Sequence, residues 1–345
     1  MNIVVLDRSS VGEDVSVEPL RKYGNVTFHM TTRDEEAADR VKDADIIVVN
    51  KTPMNACTLE GASHLKLVCE FATGYDNVDL EYCRKRGIPV VNVVNYSTAA
   101  VAQHTIACVL YILEKLRYYD DYVKTGIYAS QPRFSHFGLP YYELDGKTWG
   151  IVGMGNIGRK TAAIAAAFGC RVIYFSTSGK SSCGEYTRVD FDTLLKESDV
   201  ITLHCPLNDR TRNLIDRDAL EKMKKTAVLV NVARGAVVNE ADLYRALKED
   251  QIMGAGIDVL SQEPINPDNP LLQIRDSSRL LITPHMAWAS VEARTRVVTE
   301  TCKNIEAFLR GEPRNVLNPQ KTQRYAPLFF LFCFSVRALP LAFIC

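Results

Sequence analysis

One stretch constrains this chain more than any other: Trp149-Gly150-Ile151-Val152-Gly153-Met154-Gly155-Asn156-Ile157-Gly158-Arg159. An apolar run of strand type ends in Gly153-x-Gly155-x-x-Gly158, and an alanine-rich helical run follows from Thr161 to Phe168. Strand, glycine turn and helix, in that order, are what a dinucleotide-binding turn requires. Gly153 permits the tight turn, Gly155 lets backbone approach a pyrophosphate, and Gly158 lets helix and strand pack closely. The helix N-terminus then turns free N–H groups and partial positive charge toward the phosphates. Taken alone, the same glycines would serve a tight strand–helix turn with no ligand. Their place inside a run of alternating strand and helix signals is what points to a cofactor.

That alternation runs through the chain. Ile3–Leu6, Val26–His29, Ile46–Val49, Leu65–Cys69 and Val90–Val93 are apolar runs of strand type. Helical spacing separates them at Val17–Tyr23, Asp34–Lys42, Leu59–Ser63 and Leu80–Arg86. Gly24 and Gly87 stand where C-terminal caps would. Strands apolar throughout, alternating with helices, predict parallel sheets covered on both faces. A helical stretch from Thr98 to about Lys124 leads away from the first set, and a glycine- and aromatic-rich loop, Gly126 to Leu139, follows. The second set adds strands at Arg171–Phe175, Val200–His204, Ala227–Val232, Met253–Val259 and Leu280–Thr283. Helical runs lie between these at Thr193–Glu197, Arg217–Met223 and Glu240–Asp250. A last helix, about Ser290 to Leu309, is closed by Gly311 and Pro313. The expected fold is α/β: two Rossmann-like or flavodoxin-like parallel-sheet domains with a cleft between them. Residues 1–96 plus about 291–318 would form a substrate domain, 97–290 a dinucleotide-binding domain, and 319–345 an atypical apolar tail.

The formal net charge is zero, which argues against a global pull toward nucleic acid or membrane. The ten cysteines are scattered without a Cys-x-x-Cys pair, and neither they nor the six histidines show metal-ligand spacing. Most lie in apolar runs, as buried thiols in a reducing compartment would. A strand begins at Asn2-Ile3, leaving no room for a signal peptide, so the expected location is the cytoplasm. The tail from Pro327 is strongly apolar but is interrupted by Arg337 and Pro340, which speaks against a membrane anchor.

Three segments at predicted strand ends could do chemistry. Arg234 follows an apolar strand in Asn231-Val232-Ala233-Arg234-Gly235; Asp258 and Glu263 follow the next; His285 follows the one after. A guanidinium can grip a carboxylate and a carbonyl oxygen through its fork of donors. An imidazole can give that oxygen a proton as hydride reaches carbon, and a carboxylate bonded to the ring holds its tautomer. Individually the bland readings stand beside these: an ion-pairing loop Arg, a turn Glu before proline, a hydrogen-bonded loop His. Their order after successive strands joins them into one site for hydride transfer to a 2-oxo acid.

With these motifs in view, the chain resembles the D-2-hydroxyacid dehydrogenase family, in its glycerate dehydrogenase/hydroxypyruvate reductase branch. The carrying segments are Phe71–Asp79, Tyr96–His104, Gly153–Gly158, Asn231–Gly235, Asp258–Pro264 and Pro284–Ala289, within a match spanning residues 1 to about 318. The resemblance implies Arg234 for substrate binding, His285 as acid/base and Glu263 as its partner. It implies that backbone N–H groups near Ala72, Thr73 and Gly74 hold the substrate carboxylate. It also puts Asp258 on the nicotinamide carboxamide, with Gly153, Gly155, Asn156, Ile157, Gly158, Cys205, Pro206, Thr211, Val232 and Ala233 around the cofactor. Family members are usually homodimers joined through the cofactor domain, and the helix from Thr98 with the loop to Leu139 would be the dimer arm.

Two departures matter. Where an NAD-specific member has an acidic residue, this chain has Ser176, followed by Thr177-Ser178-Gly179-Lys180. Hydroxyls and Lys180 could receive a 2′-phosphate, so NADP(H) is expected to be accepted beside NAD(H), and slightly preferred. The apolar end beyond Pro319 has no counterpart in the family. Gln262 and the Asn50-Lys51-Thr52 loop resemble the glycerate dehydrogenase/hydroxypyruvate reductase branch, and Lys51 near the pocket would favour a small, polar, anionic oxo acid, glyoxylate or hydroxypyruvate first. The competing class is an NAD(H)-sensing, corepressor-like binding protein of the same fold.

Overall fold

The computed structural model describes residues 1–180 and 182–319. They divide into two compact units, one from Met1–Val94 together with the segment from Thr295, the other Asn95–Arg294. The expectations for the apolar tail, Cys333 and Cys345 lie outside the described residues.

The first unit has five strands: β1 (Asn2–Val5), β2 (Asn25–Phe28), β3 (Ile46–Val49), β4 (Leu67–Glu70) and β5 (Val90–Val91). All pair in parallel in the order β2-β1-β3-β4-β5. Helices α1 (Asp34–Val41), α2 (Ala56–Leu59) and α3 (Leu80–Lys85) connect them. β3 and β4 are buried at every residue, as a sheet covered on both faces demands. The strand order reverses between β1 and β3, so the loops after these strands frame the position where open α/β sheets bind ligands. The segment after Leu309 returns to this unit, where Leu317 donates to the Val90 carbonyl and the Asn318 side chain accepts from the Val90 N–H.

The second unit opens with α4 (Thr98–Leu113), α5 (Leu116–Lys124) and α6 (Ile127–Ser130). Its sheet holds β6 (Thr148–Val152), β7 (Arg171–Phe175), β8 (Thr187–Arg188), β9 (Val200–Leu203), β10 (Val228–Asn231), β11 (Gly254–Ile257) and β12 (Leu280–Ile282). All are parallel, ordered β12-β11-β10-β9-β6-β7-β8. The helices between them are α7 (Asn156–Ala167), α8 (Phe191–Glu197), α9 (Arg217–Lys222) and α10 (Glu240–Lys248); α11 (Val291–Leu309) follows β12. Here the order reverses between β6 and β9, and the glycine turn stands at that point.

The expected single helix from Thr98 to Lys124 is two helices. Lys115 breaks it with φ +54°, and its buried ammonium is satisfied by the Ser278 carbonyl at 3.0 Å. As expected, α4 leaves the first unit, and it packs into the second. Its residues Ile106, Cys108, Val109, Ile112 and Leu113 are buried in the core with Trp149 and Ile151 of β6. A Cβ on Gly256 of β11 would lie 2.9 Å from Cys108 Cβ, so the small residues of β11 let α4 cross closely. No single helix among the described residues is long and apolar enough to cross a membrane.

Candidate active site

The glycine turn has the geometry its spacing predicts. Gly153 has φ +97°, and a Cβ there would press on the backbone of His204 and Cys205 at 2.8–2.9 Å. A Cβ on Gly158 would strike the Gly153 carbonyl, which explains why helix and strand approach so closely. Gly155 differs: a Cβ on it would meet nothing within 4 Å. It caps α7, whose first amides, at Asn156, Ile157 and Gly158, have no intrahelical carbonyl to bond. Open space over a glycine, next to unpaired N–H groups at the positive end of a 12-residue helix, fits a pyrophosphate.

β10, β11 and β12 are neighbours, so their carboxyl ends lie side by side on one sheet edge. After β10, the buried Asn231 shapes the turn: its side chain donates to the Arg234 carbonyl at 2.9 Å and accepts the Ala233 N–H at 3.0 Å. A Cβ on Gly235 would collide with the backbone of Leu260 and Ser261, so the turn bearing Arg234 is packed against the loop after β11. That loop is anchored by Glu240, which accepts from the Ser261 N–H and the Asn269 side chain, each at 2.6 Å. Glu263 accepts the Leu260 N–H through Oε1 and faces His285 Nδ1 through Oε2 at 2.7 Å. The imidazole and the carboxylate are 30% and 34% exposed, so the pair is reachable from solvent. With Nδ1 engaged, Nε2 is the nitrogen left to serve a ligand. His285 also sits at φ +52°, a left-handed conformation costly for a non-glycine residue and held by its N–H bond to the Asp258 carbonyl at 2.8 Å.

Residues 106–287 match the family described as D-isomer specific 2-hydroxyacid dehydrogenase, NAD binding domain. A hydroxypyruvate reductase of Blautia hydrogenotrophica is 39% identical over 324 residues, covering 92% of this chain and all of its own. A glycerate dehydrogenase of Methylorubrum extorquens is 38% identical over 316 residues, 91% of this chain and 98% of its own. The chain belongs to the D-isomer specific 2-hydroxyacid dehydrogenase family. Among solved structures, an acyclic imino acid reductase in complex with NADPH and D-Arg matches with a TM-score of 0.82 and 32% identity, covering 92% of this chain and all of that one.

Three of the residues expected around the cofactor, Asp258, Thr211 and Cys205, are buried and bonded within their own loops or packed into the core. Asp258 is 1% exposed. One of its carboxylate oxygens accepts the Thr283 hydroxyl at 2.6 Å and the Met286 N–H at 2.9 Å, while the other accepts the Ala287 N–H at 2.9 Å. These bonds tie down the turn that carries His285, with His104 bonded to Thr283 behind it and Trp288 packed edge-on to Tyr96. Thr211 is fully buried and ties its own loop, its hydroxyl donating to the Pro206 carbonyl and accepting the Asn208 N–H. Cys205 is also buried, and burial pushes its thiol up to about 11.

The loop after β7 gains two cations that the sequence did not single out. Arg188, on β8, donates to the Gly179 carbonyl at 3.0 Å, and Arg159, on α7, donates to the Ser182 carbonyl at 2.6 Å. With exposed Lys180, they surround a loop that turns from Ser176 to Gly179. Ser176 itself is 4% exposed, so Thr177 and Ser178 offer the more accessible hydroxyls.

In the first unit, Lys51 and the Ala72–Gly74 segment lie on loops tied down by polar side chains. Asp7, at the end of β1, accepts the N–H groups of Asn50, Lys51 and Thr52 and the Thr52 hydroxyl. Thr73 donates its hydroxyl to the Val93 carbonyl at 2.7 Å, and Asn92 donates to the Thr73 carbonyl at 2.8 Å. The amides of Ala72, Thr73 and Gly74 have no protein acceptor among the described residues. Consecutive unpaired amides form a concavity suited to an anion.

Proposed function

We propose that the protein reduces a small 2-oxo acid, hydroxypyruvate or glyoxylate, to the D-2-hydroxy acid with NADH or NADPH. The observation that carries this reading is the His285–Glu263 pair at 2.7 Å, on the edge where the Arg234 turn is packed against the Glu263 loop. A bound reduced nicotinamide supplies hydride to the carbonyl carbon. His285 gives a proton from Nε2 to the carbonyl oxygen, and Glu263 keeps the ring's Nδ1 protonated and oriented. Arg234 binds the substrate through its planar fork. In the first unit, the amides of Ala72, Thr73 and Gly74 hold a carboxylate, and Lys51 adds positive charge. The two named relatives are a reductase and a dehydrogenase, which favours turnover over cofactor sensing.

NADPH is the slightly preferred cofactor in this reading, because Lys180, Arg159 and Arg188 surround the Ser176–Gly179 loop and no acidic residue stands between 176 and 184. The functional unit is a homodimer formed through the second unit, motivated by the exposed Leu116, Val123 and Ile127 on and beside α5. A cytoplasmic location is in keeping with six of the eight described thiols being buried. The test is a panel of 2-oxo acids run with both reduced cofactors. Turnover of hydroxypyruvate or glyoxylate is expected, and Ser176→Asp should move the NADH/NADPH ratio of kcat/KM at least tenfold toward NADH, about 1.4 kcal/mol. A wild-type preference for NADH of a hundredfold would overturn the cofactor assignment.

A further inference from the structure

The first unit contains a carboxyl group that the proposed reaction does not use. Glu70 is the last residue of β4, directly before the Phe71–Asp79 loop, and is 0% exposed. One of its oxygens accepts from Asn77 Nδ2 at 3.2 Å, and the other, Oε1, is buried without a partner among the described residues. The same Asn77 amide donates to the Thr52 carbonyl at 3.2 Å, and the Asn77 backbone carbonyl accepts the Met54 N–H at 2.8 Å. Asn77 is therefore the strut between the loop that bears Lys51 and the loop that bears Ala72, Thr73 and Gly74. Glu70 holds that strut from below.

We propose that Glu70 is a positioning residue that sets the spacing of the Lys51 and Ala72–Gly74 loops through Asn77. The inference rests on the substrate role given to those loops above. The charged groups acting on Glu70 are Lys51, which favours its ionised form, and Asp7 and Asp76, which oppose it. The Cys69 thiol precedes it on β4. Burial outweighs Lys51 and holds the carboxyl well above its ordinary range. Asp7 and Glu70 thus divide the work. Asp7 gathers three backbone N–H groups, as an acceptor at the end of β1 can. Burial favours the protonated form of Glu70, and in that form it lies under two substrate loops without placing a second negative charge beneath a site for an anion.

The consequence is a substrate affinity that weakens as pH rises. Above the ionisation of Glu70, a buried carboxylate would draw on Lys51 and repel an anionic substrate, so KM should climb while kcat at saturation stays put. Glu70→Gln keeps a neutral acceptor for Asn77 and cannot ionise; its KM should stay flat where the wild type climbs. Glu70→Val removes the support and should raise KM about fivefold to tenfold at every pH, the effect of losing one hydrogen bond. Amide exchange of residues 50–54 and 71–79 provides a readout independent of turnover. It should accelerate in Glu70→Val, and in the wild type at alkaline pH beyond the intrinsic rate, but not in Glu70→Gln. Superimposable KM and exchange profiles of wild type and Glu70→Gln would overturn the proposal, even where Glu70→Val fails to fold. Should the enzyme reduce no 2-oxo acid while exchange follows this pattern, the function assigned above is what falls, and the positioning role stands.

Discussion

The carboxyl edges of the two sheets invite comparison, because both units solve the same topological problem with different groups. In the second unit the strand ends deliver side chains: Arg234, Glu263 and His285, each supported by a neighbour such as Asn231, Glu240 or Asp258. In the first unit they deliver backbone: the open amides of Ala72–Gly74, on loops whose shape is set by Asp7, Asn77, Asn92 and Glu70. Proton transfer requires a titratable side chain near solvent, whereas holding a carboxylate requires only N–H groups in a fixed curve. One edge is therefore defined by residue identity and the other by loop conformation.

The sharpest way to break this contrast is to remove side chains from the second unit. His285→Ala should lower kcat by about 10²–10⁴, the usual worth of general acid catalysis, with cofactor affinity nearly unchanged. A titration of NADH or NADPH by fluorescence quenching, run beside steady-state kinetics, separates the two effects. Loss of cofactor binding in this variant would mean that the imidazole belongs to the scaffold. Next in size is Asp258→Ala. It removes the acceptor of the Met286 N–H and the Thr283 hydroxyl and strands the buried Ala287 N–H, a buried orphaned donor that costs about 1–3 kcal/mol. The turn would relax from the left-handed conformation at His285, so a fall in kcat should accompany a lowered Tm. A variant with normal kcat and Tm would show that the turn is held elsewhere.

The same contrast explains what could be read from the amino-acid sequence. The glycine turn and the pairing of His285 with Glu263 were legible because both lie just after apolar strands, and because Gly153 and Gly158 are positions a Cβ would disrupt. The break between α4 and α5 was not: neither glycine nor proline marks it, and Lys115 adopts φ +54° because a distant carbonyl at Ser278 receives its ammonium. β8 is two exposed residues, Thr187 and Arg188, with no apolar pattern to find. Arg159 and Arg188 are 29 positions apart, and only the pairing of β8 with β7 brings both to the cofactor loop. Asp258 was correctly placed at a strand end, but its carboxylate faces the turn, a direction that sequence spacing does not encode. Glu70 stands just past the apolar run Leu65–Cys69 and drew no expectation, since burial of a carboxyl follows from tertiary packing alone.

The most gradual expected effect is a pair of opposite pH dependences, one per unit. Burial depresses His204, after β9, from 6.5 to about 3, while its Nε2 meets the Thr202 hydroxyl at 3.0 Å. The folded protein keeps that ring neutral, and the unfolded chain protonates it below about 6.5. The stability it contributes is therefore present above pH 6.5 and is lost as pH falls from there toward 3. Glu70 runs the other way: the fold retains its proton and the unfolded chain releases it above about 4.5. Stability is then full below pH 4.5 and declines as pH rises, until Glu70 ionises in the fold. Each slope is bounded by about 1.4 kcal/mol per pH unit. His204→Asn should flatten the acid limb of the urea midpoint plotted against pH, and Glu70→Gln the limb above 4.5. Amide exchange resolved by residue would assign each limb to its unit, since two units need not unfold together. If both substitutions altered the same limb, the two buried groups would not be acting through their own charges, and the contrast between the units would not extend to their interiors.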